Sequence, residues 1–250
     1  MEVNMNQETL DKMSSLRLRG MFNAFRTSLE TTQRESMTID QFISSLIISE
    51  WDDRRNRAIE RAIKQANFRH KASIEDLNFS VERGLDKNQV QRLADLSFIS
   101  QHKDVFITGS TGTGKTYLAT ALGYEACQRG FKVIYSNTAR LMGLLKSSKA
   151  KNTILLELRK IERMDLLILD DFGLQPFDAT ARMNLLDVIE DRYGKKSTII
   201  TSQIPVKEWY DVIGEKTVAD AVLDRIVHKS LRVELYGESL RKQKLENDYK

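Results

Sequence analysis

The chain has 250 residues, 41% of them apolar and 30% charged, with 39 Lys/Arg against 35 Asp/Glu and a net charge of +4. This is the balance of a globular protein with a sizeable core, and it excludes a low-complexity chain. A single cysteine, Cys127, excludes an internal disulfide and a cysteine-built metal site and reads as packed core, and the three histidines (His70, His102, His228) lack ligand spacing. The N-terminus has no basic region followed by an apolar stretch, and no apolar run is long enough to cross a bilayer, so a cytoplasmic location is expected.

Residues 1 to about 70 contain no proline and one glycine, Gly20, and their apolar residues fall at helical spacing. Leu10, Met13 and Leu16 form one stripe. Met21, Phe22, Phe25 and Leu29 form a second, with Gly20 as a break between helices. Thr38, with Gln41 three residues later, makes a capping box that opens a third helix, with Phe42, Leu46 and Ile47 on its apolar side.

A fourth helix is expected over about Asp52 to Phe68. There Ile59, Ala62, Ile63 and Ala66 share one face, while Arg54, Arg57, Arg61 and Lys64 recur on the other. Seven Lys/Arg and one acid, Glu60, lie between Arg54 and Lys71. Such a run is either a solvated outer face or a stripe that follows a phosphate backbone, and the scarcity of acids keeps the second reading open.

From about Ser73 strands alternate with helices, the signature of a parallel sheet. The expected fold is therefore α/β, a parallel sheet flanked by helices (71–250) and preceded by a small all-α bundle (1–70). Val105 to Thr108 is an apolar strand. Gly109, Ser110, Thr111, Gly112, Thr113, Gly114, Lys115 and Thr116 follow as GSTGTGKT, which fits G-x4-G-K-S/T, and a helix follows from Tyr117 to Arg129. In such a loop successive N–H groups turn inward on an anion, the lysine reaches the β- and γ-phosphates, and the Thr116 hydroxyl ligates Mg²⁺. A bound nucleoside triphosphate is implied.

Further along, residues 131–136 form a second strand, and Thr138 and Lys149 begin two helices. Asp165 to Asp171 reads DLLILDD, an apolar core strand ending in two acids. This looks like a Walker B strand, with Asp170 on the Mg²⁺ and Asp171 polarising the attacking water. A helix over about 179–193, a strand at 197–201, helices near 206–213 and 218–229, and a last strand at 231–236 complete the series. Phosphoryl transfer needs further positive charge at the γ-phosphate. No arginine adjoins the loop, so more must come from distant segments or a neighbouring subunit.

The order of LRLRGM at 16–21, the basic helix, SVERGLD at 80–86, GSTGTGKT, LLILDDFG, EDRYGKKSTIITSQIP, LDRIVHKS and GESLR resembles the IstB-type transposition helper ATPases. These are AAA+ proteins of the branch that holds DnaC and DnaA. The resemblance implies ATP and Mg²⁺ as cofactors, and a homo-oligomer on duplex DNA that recruits a transposase while hydrolysing ATP slowly at subunit interfaces. It implies that Ser202 is the sensor-1 residue, that Arg225 is the arginine finger acting on the next subunit, and that Arg241 is the sensor-2 arginine. Arg192, at the end of the helix before the sensor strand, is a rival for the finger. The superfamily usually has Glu where this chain has Asp171, which suits a slow ATPase. No separate helical lid is expected after Arg241. A DnaC-like helicase loader is the nearest alternative. A small-molecule kinase would need an acceptor pocket and lid that the sequence does not offer.

Overall fold

The computed structural model describes residues 2–31, 37–79 and 84–240. They pack into two compact units, Met1–Arg61 and Ala62–Lys250.

In the first unit, α1 (Glu2–Ser15) and α2 (Arg19–Glu30) join the front of α3 (Ile39–Ala66). Leu10, Phe25 and Leu46 are buried against Met13, Met21, Phe22 and Phe42, one residue set from each expected stripe. Leu16, Leu29 and Ile47, expected on those stripes, are exposed. Leu16 lies past the end of α1, where Arg17 turns left-handed (φ 60°), and Ile47 sits about 100° around α3 from Leu46. Gly20 is no break between helices. It lies in the first turn of α2, pressed so closely on α3 that a Cβ would collide with the Ser49 carbonyl oxygen. The Glu50 carboxylate accepts the N–H groups of Gly20 (2.8 Å) and Met21 (3.3 Å), satisfying donors that the start of α2 leaves open. Burial works against that charge, but Arg54 and the two N–H donors outweigh it and hold the carboxyl below its ordinary range.

The capping box forms in both directions: Thr38 N–H donates to Gln41 Oε1 at 2.9 Å, and Gln41 N–H to Thr38 Oγ1 at 3.3 Å. The helix it opens does not stop before Asp52. Instead of two helices, α3 runs unbroken for 28 residues. No glycine or proline interrupts residues 38–68, and the pairs Arg54–Glu50 (2.6 Å) and Arg57–Asp53 (2.7 Å) staple successive turns across the expected gap.

The second unit opens with the last turn of α3, where Ala66 is fully buried and Ala62 and Ile63 pack on the same core. Two short helices without a clear sequence signal follow, α4 (Lys87–Ala94) and α5 (Ser97–Ser100). The alternating region then runs β1 (Val105–Gly109), α6 (Lys115–Gln128), β2 (Val133–Asn137), α7 (Thr138–Ala150), α8 (Ile154–Glu162), β3 (Leu166–Phe172), α9 (Ala179–Arg192) and β4 (Ser197–Ser202). A 3₁₀ turn at 206–208 leads to α10 (Trp209–Ile213), α11 (Lys216–Val227) and β5 (Leu231–Leu235). The helix expected to begin at Lys149 starts only at Ile154, because α7 continues to Ala150.

The five strands are parallel, in the order β2-β3-β4-β1-β5. Alternation along each strand feeds two cores. Val105, Ile107, Leu166, Ile168 and Ile199 face α6 through Leu118 and Leu122. Phe106, Leu167, Leu169 and Ile200 face Leu185, Val188 and Trp209. Cys127 is core, as expected, and burial pushes its thiol up to about 12. No described helix is long and apolar enough to cross a membrane.

Arg192 closes α9 from inside the protein, 2% exposed. Its guanidinium donates to the carbonyls of Ile161 (2.8 Å), Met164 (2.9 Å) and Ser197 (2.5 Å), and to the Thr198 hydroxyl at 3.3 Å. Burial lowers its pKa to about 10, opposed by the charges of Asp104 and Asp165, so it stays cationic at neutral pH. Arg192→Met should leave those acceptors without donors and cost on the order of 3 kcal/mol. Urea denaturation followed by circular dichroism checks this, and an unchanged midpoint would overturn the bracing role.

Candidate nucleotide-binding site

The loop 109–116 joins the C-terminal end of β1 to the first turn of α6. Gly109 has φ 143° and lies so close to β5 that a Cβ would collide with the Leu235 carbonyl oxygen, and Gly114 caps α6 with φ 97°. Only glycine meets both demands without strain. The Lys115 side chain folds back across the loop, Nζ donating to the Ser110 carbonyl at 2.7 Å. Thr113 Oγ1 donates to the same carbonyl at 2.9 Å.

The end of β3 stands opposite. Asp170 is fully buried, yet its carboxylate accepts three hydroxyls: Thr116 (2.9 and 3.1 Å), Tyr135 (2.5 Å) and Thr201. Thr138 Oγ1 donates to its backbone carbonyl at 2.9 Å. Burial, and then the hydrogen bond to Asp170, raise the pKa of the Tyr135 phenol, so it remains a donor. The pairing of β3 with β4 shifts register between Leu169 and Phe172, and Asp171 takes a left-handed conformation, φ 57°. This bulge lets two successive residues serve one site, where regular pleating would send them to opposite faces. Asp171 accepts Asn137 Nδ2 at 3.1 Å. Burial and the neighbouring Asp170 raise its pKa, partly offset by Asn137, Arg69 and Lys115.

Lys115, Thr116 and Asp171 line one cavity of about 450 Å³, together with Thr111, Gly112 and Gly114. Arg69, His70 and Gln203 also line it, and sequence reasoning assigns none of them to the site. A second cavity, about 270 Å³, lies beside Thr113 and Tyr117 and is walled by Leu77, Leu85, Leu118 and Leu235, with Asp76 and Asn78 as its polar groups. Leu240 borders both, its N–H donating to the Gly112 carbonyl at 3.0 Å. The residue set suits a magnesium triphosphate: a glycine-rich loop at a helix start, a lysine, and a hydroxyl paired with a buried carboxylate.

The remaining candidates lie elsewhere. The Ser202 hydroxyl is buried, donating to the Phe172 carbonyl (2.8 Å) and accepting the Ile204 N–H (3.0 Å), and it does not line the cavity. The next residue does: Gln203 Oε1 accepts the Thr111 hydroxyl at 2.7 Å. Arg225 donates to the Ala221 carbonyl (2.7 Å) and pairs with Glu190 of α9 at 3.2 Å, not with Asp220 or Asp224. Arg192, the rival for the finger, is buried with its guanidinium bonded to four interior acceptors. Arg241 and the start of SVERGLD, 80–83, lie outside the described residues.

On the basic helix, Arg54, Arg61 and Lys64 are exposed, whereas Arg57 is half-buried. Arg54 and Arg57 are already paired with Glu50 and Asp53. Arg57 lines a cleft of the first unit with Arg17, Arg19 and Asn23, a convergence invisible in the linear run. Arg55 lies over the Trp51 ring, 5.2 Å from its centroid.

The IstB-like ATP binding protein family matches residues 11–247. The protein y4pL of Sinorhizobium fredii, described by its name as an insertion sequence ATP-binding protein, is 40% identical over 234 residues, 94% of this chain and 96% of its own length. The IS21 ATP-binding protein of Pseudomonas aeruginosa is 30% identical, covering 92% of this chain and 86% of that one. Among solved structures, DnaI superposes with a TM-score of 0.57 at 23% identity, covering 68% of this chain and 90% of that one. AMPPCP-bound DnaA from Aquifex aeolicus gives 0.59 at 23%, covering 72% and 56%. These two likenesses bear on the fold alone, a parallel sheet flanked by helices. From the family match and the relatives' identity, the chain belongs to the IstB-like ATP binding proteins.

Proposed function

We propose that this protein is an ATP-hydrolysing helper of an insertion-sequence transposase, which assembles as a homo-oligomer on duplex DNA and recruits the transposase there. The observation that carries this reading is the convergence of Lys115, Thr116 and Asp171 on one cavity, with the buried Asp170 bonded to the Thr116 hydroxyl, in a chain whose relatives are named as insertion sequence ATP-binding proteins. Those names favour it over a DnaC-like helicase loader, since the likeness to DnaI reaches the fold only.

In this reading the triphosphate occupies the larger cavity and the base the smaller, more apolar one. Lys115 exchanges the Ser110 carbonyl for phosphate oxygens, and the loop amides hold the rest. Thr116 and Asp170 would hold Mg²⁺, which neutralises charge on the β- and γ-phosphates. Asp171 orients the attacking water, held in place by Asn137. Gln203, rather than the buried Ser202, reads the γ-phosphate from the end of β4. Arg225 leaves Glu190 to complete the site of the next subunit, and Arg241 acts on the nucleotide of its own. The division of labour assigns DNA contact and assembly to residues 1–70 and ATP to residues 71–250, except that Arg69 and His70 line the ATP cavity. Arg54, Arg57, Arg61 and Lys64 contact phosphates without reading sequence, joined by Arg17 and Arg19.

Lys115→Ala should lose ATP binding in isothermal titration, and undiminished affinity would refute the loop assignment. Arg225→Ala should bind ATP yet hydrolyse it on the order of 10³-fold more slowly. Mixing it with an Asp171→Asn protein should restore part of the phosphate release, because the Asp171→Asn subunit lends its Arg225 to a neighbouring site whose Asp171 is intact, and no recovery argues against a shared site. Replacing Arg54, Arg57, Arg61 and Lys64 by Gln should lower the log–log salt slope of duplex binding by about 0.9 for each DNA phosphate no longer neutralised. An unchanged slope moves the DNA surface elsewhere.

A further inference from the structure

Arg69 follows the end of α3 by three residues and lines the cavity shared by Lys115, Thr116 and Asp171. The residues on either side of it are anchored to α6, the helix that the phosphate loop opens. Phe68 stacks on Tyr124 with ring centroids 4.6 Å apart and lies 6.4 Å from Tyr135. Gly123 makes room for it, since a Cβ there would stand 2.6 Å from the Phe68 ring. His70 stacks on Tyr117 at 5.8 Å, the planes 21° apart. Arg69 is thus held between two aromatic clamps with its side chain exposed to the cavity.

Its positive charge is felt at the reacting end of the site, favouring the ionised forms of Asp171 and Tyr135. Among the described residues its guanidinium makes no hydrogen bond or ion pair. A structural arginine in this protein looks different: Arg192 has four partners and is buried. A planar guanidinium with open donors, fixed beside a lysine and an Mg²⁺-type hydroxyl–carboxylate pair, is suited to bidentate contact with a terminal phosphate.

We propose that Arg69 is a catalytic arginine acting within its own subunit, contacting the γ-phosphate of the bound nucleotide and distinguishing the triphosphate from the diphosphate. This rests on the reading of the cavity as a triphosphate site. It also supplies, from a distant segment of the same chain, positive charge that the phosphate loop lacks.

The test compares the full-length wild type, Arg69→Ala and Arg69→Lys by equilibrium fluorescence anisotropy with labelled ADP and a labelled non-hydrolysable ATP analogue, both with Mg²⁺. The wild type should bind both nucleotides. Arg69→Ala should keep its affinity for ADP and lose about tenfold or more for the ATP analogue, the magnitude of a charge-assisted contact. Arg69→Lys should recover part of that loss, and kcat for phosphate release should fall in Arg69→Ala more than KM rises. An unchanged preference for the ATP analogue in Arg69→Ala would overturn the proposal. So would an equal loss of both nucleotides, which marks a merely structural residue. A wild type that binds neither nucleotide would instead refute the triphosphate site itself.

Discussion

The buried carboxylate of Asp170 is the point on which the site depends. An ionised acid removed from water is costly unless its lone pairs are satisfied, and here three hydroxyls satisfy them from three different elements. Thr116 comes from the first turn of α6, Tyr135 from β2 and Thr201 from β4. A fourth hydroxyl, Thr138 at the start of α7, holds the same residue through its carbonyl. One residue thereby ties together the ends of three adjacent strands and the helix that opens the phosphate loop. Displacing any of those elements leaves a buried charge short of a donor. The end of the loop at Thr116 is held to β3 for that reason.

Much of this is legible in the linear chain. Period-two apolar strands, a helix opening directly on G-K-T and a run of four apolar residues before Asp170 each follow from local rules, and packing agrees with them. The capping box at Thr38 and Gln41 is readable for the same reason: both partners lie within one turn. What escapes depends on contacts between distant segments. Arg69 reads as one more cation in a basic run, because nothing in its neighbourhood reveals that Phe68 and His70 dock on α6. Ser202 and Gln203 are adjacent polar residues at a strand end, and only the sheet decides which turns inward. Arg192 and Arg225 look equivalent beside their helices, yet one is a buried brace and the other a half-sheltered ion pair.

The N-terminal unit gives the opposite lesson about charge. A run of cations suggests a uniform stripe, but Arg54 and Arg57 are partly neutralised by acids one turn earlier, while Arg17 and Arg19 join Arg57 from another helix. Arg54 is exposed although its partner Glu50 is buried, and Glu50 keeps two backbone donors of its own, so this pairing organises the Arg54 side chain without withdrawing it from binding. Gly20 and Glu50 hold α2 against α3 and so fix the geometry of that cluster.

The bulge at the end of β3 has its own effect on the choice of acid. Left-handed backbone is tolerated far better by Asp and Asn than by longer side chains, because a short polar group can bond locally. Asp171 does so through Asn137, and its own N–H is held by Thr201 at 3.1 Å. Chain length at this position and the kink beneath it are therefore one property. A glutamate would gain reach into the cavity and lose the left-handed conformation that a short acid holds there.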